Sequence, residues 1–142
     1  MTTSGRHCIL QHEFNYAHLP ELADLWVAAW TKAMPSIDFE ARRVWIVERL
    51  IGLHDGGVAI ICGFDSADGG MAGFIALDAD TGHIDQIAVA PGHWGSSAAG
   101  QLLAAAKQQA PGRLTLEVNQ DNARAIRGDT LEYGLLGPRL AQ

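Results

Sequence analysis

Val89-Ala90-Pro91-Gly92-His93-Trp94-Gly95-Ser96-Ser97-Ala98-Ala99-Gly100-Gln101-Leu102-Leu103 is the stretch whose reading decides the fold. The apolar, β-prone run Ile84 to Val89 stops at Pro91, and a Gly/Ser-rich loop then opens into an Ala/Leu-rich helix running to Ala110. A strand, a loop of small residues and a helix N-terminus together suit an anion. The first-turn N–H groups have no intrahelical partner, and the helix dipole adds about half a positive charge. Small side chains let a phosphate approach the backbone. The loop therefore reads as a pyrophosphate cradle; the plain alternative is a Ser-capped helix following a strand.

Two familiar cradles are excluded by spacing. Gly95 and Gly100 have the separation of a Walker loop, but Gln101-Leu102 stand where its lysine and hydroxyl residue belong. No G-x-G-x-x-G triplet opens a βαβ unit, so a dinucleotide fingerprint is absent. The chain has 142 residues, 48% of them hydrophobic and 18% charged, which suits a single domain over 1–142 with a real core. A net charge of −6 argues against nucleic acid or an anionic membrane as partner, and it fits a cationic acceptor only weakly. Cys8 and Cys62 have no metal or redox spacing and read as reduced core thiols, so no metal is expected. The first residues lack an apolar signal core and no run approaches a membrane span, so a cytoplasmic location is expected.

Outward from the cradle, the pattern predicts the remaining elements. His7 to Phe14 alternates weakly and reads as an opening strand. Pro20 suits a first helical turn, and Leu22, Leu25, Trp26, Ala29 and Ala33 recur at helical spacing up to Met34-Pro35. Asp38 can cap a second helix with Ala41, Val44, Val47, Leu50 and Ile51 as its buried stripe. Val58–Phe64, Met71–Leu77 and His83–Val89, separated by Asp/Gly turns, form an antiparallel meander that delivers the chain to the cradle. After Pro111-Gly112, Arg113–Val118 reads as a strand reached by a helical crossover and so parallel to its neighbour. Asn122 to about Leu131 reads as a short last helix.

The order β-α-α-β-β-β-α-β-α, with a mixed and mostly antiparallel sheet flanked by helices, resembles the α/β fold of the GNAT superfamily of N-acetyltransferases. The family's loop reads approximately V-x-P-x-x-[QR]-G-x-G-x-[GA]-x-x-L-L. Val89, Pro91, Gly95, Ala99, Leu102 and Leu103 match it, while Trp94 replaces Gln or Arg and Ser97 replaces the central Gly. His83–Val89 resembles the family's fourth strand, and Leu116–Ile126 its fifth strand with the following helix start.

The resemblance implies roles for these residues. Backbone groups of Ile87, Ala88 and Val89 would bind the pantetheine arm of acetyl-CoA as a pseudo-strand. The N–H groups of Trp94, Gly95, Ser96, Ser97, Ala98, Ala99 and Gly100 would hold its pyrophosphate, and Asn122 would contact the thioester end. A Cβ at Ser97 would be costly if φ there were positive. Asp85, the only acid on the fourth strand, would act as the base. Simple alternation would put it on one face with Ile87 and Val89, unless a bulge changes the parity. The loop between the first two helices would form the acceptor pocket from Trp30, Met34, Ile37 and Phe39, with Asp38 able to pair with a positive charge; sealing the helix pair against the sheet is the equal alternative.

The C-terminal part departs from the family. Gly128 and Asp129 occupy the usual Phe and Tyr positions, and Tyr133 comes one residue late as a substitute acid. The shortened sheet leaves an edge that a homodimer would cover. Two functions follow from the resemblance. One is acetyl transfer from acetyl-CoA to a primary amine of a small molecule or peptide, by direct attack in a ternary complex. The other is a catalytically weakened acyl-CoA-binding or regulatory module.

Overall fold

The hydrophobic pattern of the meander closes one sheet, with helices on both of its faces. The computed structural model describes residues 9–110, 112, 114–116, 126–127, 130–131 and 135–136. Strand β1 (Ile9–Glu13) leads through a 3-10 turn (Tyr16–His18) into α1 (Leu19–Ala33). A second 3-10 turn (Glu40–Arg42) precedes α2 (Arg43–Asp55). Strands β2 (Ala59–Asp65), β3 (Met71–Asp78) and β4 (His83–Val89) follow, then a 3-10 turn (Pro91–His93) and α3 (Ala98–Gln109). Four short strands complete the description: β5 (Thr115–Leu116), β6 (Ile126–Arg127), β7 (Thr130–Leu131) and β8 (Leu135–Leu136).

The sheet order is β1-β2-β3-β4-β5, with β8 also on β4. The first four strands are antiparallel, and β5 runs parallel to β4, as a helical crossover requires. One face of the sheet, with Cys62, Phe74, Ala76 and Ala88, packs against Leu22, Trp26, Trp30, Phe39, Ile46 and Leu50 of the α1–α2 side. The other, with Ile61, Ile75, Leu77, Ile84, Ile87 and Val89, packs against Ala98, Leu102, Leu103 and Ala106 of α3.

Two expectations are corrected. The expected stripe of α2 holds at Leu50, which is buried, and Val47, which packs against the core, but Ala41 is exposed, Val44 is 66% exposed, and Ile46 carries burial that the pattern did not assign. Asp38 caps the 3-10 turn, accepting from the Ala41 N–H at 3.2 Å, rather than α2 itself. Three residues per turn there, in place of 3.6, put Ala41 out of phase with the helix that follows. At the far end, Ile126–Arg127 and Thr130–Leu131 are antiparallel strands where a last helix was expected. The intervening pair Gly128-Asp129 is a two-residue hairpin signal that a helical reading overlooks.

Glycines set how closely α3 seats. Gly63 and Gly73 are cross-strand partners beneath Leu102. A Cβ on Gly73 would lie 2.8 Å from the Ala88 carbonyl oxygen and 3.0 Å from Leu102 Cδ1. Gly73→Ala is therefore expected to cost about 1–3 kcal/mol through overpacking. Gly52→Ala in α2, with nothing within 4 Å, should instead stabilise by about 0.5–1 kcal/mol. Denaturant unfolding of the two variants checks the contrast.

Candidate active site

Strand β4 is not regular. Gln86 pairs with Ala76 while Ile84 pairs with Leu77, so Asp85 is an extra residue, a β-bulge. Without it Asp85 would share the α3 face with Ile87 and Val89. With it, Ile84 stays in the α3 layer, and Asp85 turns toward α2. That corrects the simple alternation expected from sequence. The Asp85 side chain is 13% exposed, and Arg49 of α2 grips both its oxygens, with Nε 3.3 Å from Oδ1 and Nη2 on Oδ2. Such two-point guanidinium–carboxylate contacts are the strong, directional kind. Gln86, buried beside it, donates from Nε2 to Asp85 Oδ1 at 3.3 Å. Arg49 and Gln86 were not singled out from sequence, because neither carries a local motif.

The pairing along β4 changes partner at this point. The described ladder with β5 covers His83 and Ile84, and β8 pairs with Ile87 and Ala88. The edge expected to receive a pantetheine arm is therefore occupied by a strand of the chain itself. The Val89 carbonyl is engaged too, accepting from the Trp94 indole Nε1 at 2.8 Å. Trp94 thus folds back on the strand end.

In the loop, the one left-handed position falls on Gly95 (φ 83°), whereas Ser97 has φ −85°, so its Cβ is unstrained. Three of the seven cradle N–H groups are used internally. Trp94 N donates to Pro91 O at 3.2 Å, Ser96 N to His93 O at 3.1 Å, and Ala98 N to Ser96 Oγ at 3.1 Å. Among the described residues, the N–H groups of Gly95, Ser97, Ala99 and Gly100 make no hydrogen bond. Ser97 Oγ accepts from Gln101 Nε2 at 2.8 Å, which leaves its hydroxyl proton available to an anion. A cation not anticipated from sequence, Lys32 at the end of α1, lies 5.2 Å from the Trp94 ring centroid and adds positive charge to this corner.

The acceptor loop divides. Trp30 and Phe39, each 1% exposed, stack on one another in the core at 5.8 Å, so they seal the helix pair instead of lining an open wall. Met34 and Ile37 are half-buried at the loop surface. Tyr133 and Asn122 lie outside the described residues, as does Cys8. No group of His, Cys, Asp and Glu among the described residues is arranged to hold a metal. A cavity of about 320 Å³ beside β1 is lined by Gln11, His12, Ala105 and Gln108, at the far end of α3 from the cradle.

Cys62 is buried on the α1–α2 face, and burial, reinforced by the Glu21 charge, pushes its thiol up to about 12. It is held as a thiol near neutrality, which disfavours a covalent acyl-cysteine. Because the folded value is raised, an unfolded thiol at about 8.5 ionises first, and stability falls as pH rises above about 9. Between pH 8 and 10 the native chain should lose about 1–2 kcal/mol more than Cys62→Ala, measured by denaturant unfolding.

The family described as "Acetyltransferase (GNAT) family" matches residues 19–127. No curated protein and no solved structure matches the chain. The family match spans α1, the bulged β4, the cradle and β5, which are the elements that build this site. The chain belongs to the GNAT acetyltransferase family.

Proposed function

We propose that this chain transfers an acetyl group from acetyl-CoA to a primary amine. The family's chemistry is acyl transfer in general; the donor, the acceptor and the route are our reading. The observation that carries it is the cradle. Four N–H groups without partners among the described residues, on Gly95, Ser97, Ala99 and Gly100, gather at the N-terminus of a 12-residue helix beside Lys32. Diphosphate oxygens are acceptors for all of them. Neither departure from the family's loop pattern opposes this, since Ser97 takes an ordinary φ and the Trp94 side chain turns away to Val89.

Acetyl-CoA would supply an activated acetyl group at the bulge, and the chain's own residues handle the proton. The acceptor nitrogen, as the free amine, attacks the thioester carbonyl. An N–C bond forms, the C–S bond breaks, the nitrogen gives up a proton and the departing sulfur gains one. Asp85, aimed by the bulge at the α2 side, is the group we assign to receive the proton from nitrogen, directly or through a water. Tyr133 remains our candidate donor to sulfur. Met34 and Ile37 would border the acceptor.

A second reading is an acyl-CoA-binding module with little turnover; β8 on Ile87 and Ala88 and the Trp94 indole on the Val89 carbonyl stand in the way of a pantetheine arm in both readings alike. Under either reading, the C-terminal strand yields the β4 edge when a pantetheine arm pairs there.

Acetyl-CoA at about a hundred times its dissociation constant should stabilise the chain by roughly 2.7 kcal/mol, read as a rise in Tm. Ser97→Asp suits a helix N-terminus but repels phosphate, so it should preserve stability and weaken that binding more than about tenfold. Unchanged affinity would place the phosphates elsewhere. Asp85→Asn should lower kcat on an amine while leaving acetyl-CoA affinity nearly intact. Acetyl-CoA binding without turnover across a broad amine panel would favour the module.

A further inference from the structure

The proton acceptor assigned above already has a cation. Asp85 is nearly buried, and Arg49 engages both of its oxygens. An amine that reaches Asp85 meets that guanidinium first. A buried carboxylate does not tolerate loss of its counter-charge without replacement, so an arriving ammonium can take Arg49's place. The guanidinium, however, stays tethered to α2 with its side chain only 43% exposed. Two cations would then crowd one carboxylate, and like charges at contact distance are strongly disfavoured.

We infer that the acceptor is of the amino-acid class: a primary amine with a carboxylate on or next to the carbon that bears it. This rests on the acetyltransferase reading and names its substrate. In the exchanged state the acceptor's ammonium pairs with Asp85 and its carboxylate pairs with the displaced Arg49, so two ion pairs replace one and no charge is left alone. The planar guanidinium fork that now holds Asp85 is equally matched to a second carboxylate. The ammonium gives its first proton to solvent water, and the neutral amine then gives its second to Asp85 as it attacks, with the balance stated above. A polyamine brings further cations to Arg49 and no anion, and the same geometry rejects it. Arg49 is a specificity determinant on this account, and the bulge is what brings it into reach. Without the bulge Asp85 would face α3, on the side of the sheet away from α2.

The test compares amino acids with their decarboxylated counterparts: L-phenylalanine with 2-phenylethylamine, L-leucine with isoamylamine, and spermidine as the polycation. With acetyl-CoA as donor, kcat/KM should favour each amino acid over its matched amine by at least about tenfold. Spermidine should be poorest. In Arg49→Gln the ratio should fall to near parity, while the Tm rise with acetyl-CoA is kept. The same contrast should appear in binding. With CoA present, L-phenylalanine should raise the Tm of the native chain more than 2-phenylethylamine does, and Arg49→Gln should lose the difference. Matched amines acetylated as well as the amino acids would overturn the inference, as would a ratio unchanged in Arg49→Gln. So would neither transfer to nor stabilisation by any amino acid in a chain that binds acetyl-CoA. Failure of acetyl-CoA itself to stabilise the native chain is a different result, and it defeats the underlying reading.

Discussion

The bulge at Asp85 resolves a conflict between charge and burial. Ile84, Ile87 and Val89 all lie in the α3 layer. A regular strand through them would drive either Asp85 or Ile84 onto the wrong face. A carboxylate pressed into the Ala/Leu layer of α3 would cost several kcal/mol with nothing there to pair it. The extra residue lets consecutive side chains, Asp85 and Gln86, leave that layer together. Asp85 then finds Arg49 of α2.

The cradle depends on a different constraint, the close approach of α3 to the sheet. Leu102 rests over Gly63 and Gly73; a side chain at Gly73 would press on Leu102, and one at Gly63 would clash with Ile9 of β1. Since α3 begins at Ala98, directly after the loop, its seating fixes where the unpaired N–H groups lie relative to the end of β4. The positive φ at Gly95 makes the turn that joins the two. Lys32, from the end of α1 on the opposite layer, packs over the Trp94 ring, so both layers meet at this loop.

Much of this was legible in the sequence because it is written in local periodicity and punctuation. The strand His83–Val89 has the bounds that its apolar pattern and the flanking Gly82 and Pro91 mark. α1 starts at Leu19 just before Pro20 and ends at Ala33 before Met34-Pro35. The bulge itself left a trace, since Ile84 and Ile87 are three apart where alternation asks for two, but only the ladder with β3 locates the extra residue. Side-chain partners across elements were not legible. Arg49 and Asp85 are 36 residues apart, and no motif connects them. Trp30 and Phe39 fit a pocket wall or a seal between helices and sheet equally well in one dimension; in three they close the core. The α2 stripe was legible in part: Leu50 and Val47 pack as their spacing suggests, whereas Ala41 falls in a 3-10 turn ahead of the helix.

One small relay ties the beginning of the sheet to the cradle. The Gln101 side chain donates from Nε2 to Ser97 Oγ and accepts from the Ile9 N–H at 3.2 Å through Oε1. Ile9 and Gln101 are 92 residues apart. During synthesis the opening strand emerges long before the residue that fastens its first amide, and chains grow at about 5–20 residues per second. For several seconds β1 can pair with β2, yet its starting amide waits for α3. Contacts of such long range are closed late and set a slow pace for folding. The sheet is therefore fastened at its outer edge only when the anion-binding helix has been made, so the chain cannot finish its first strand without also building the corner that would hold a phosphate.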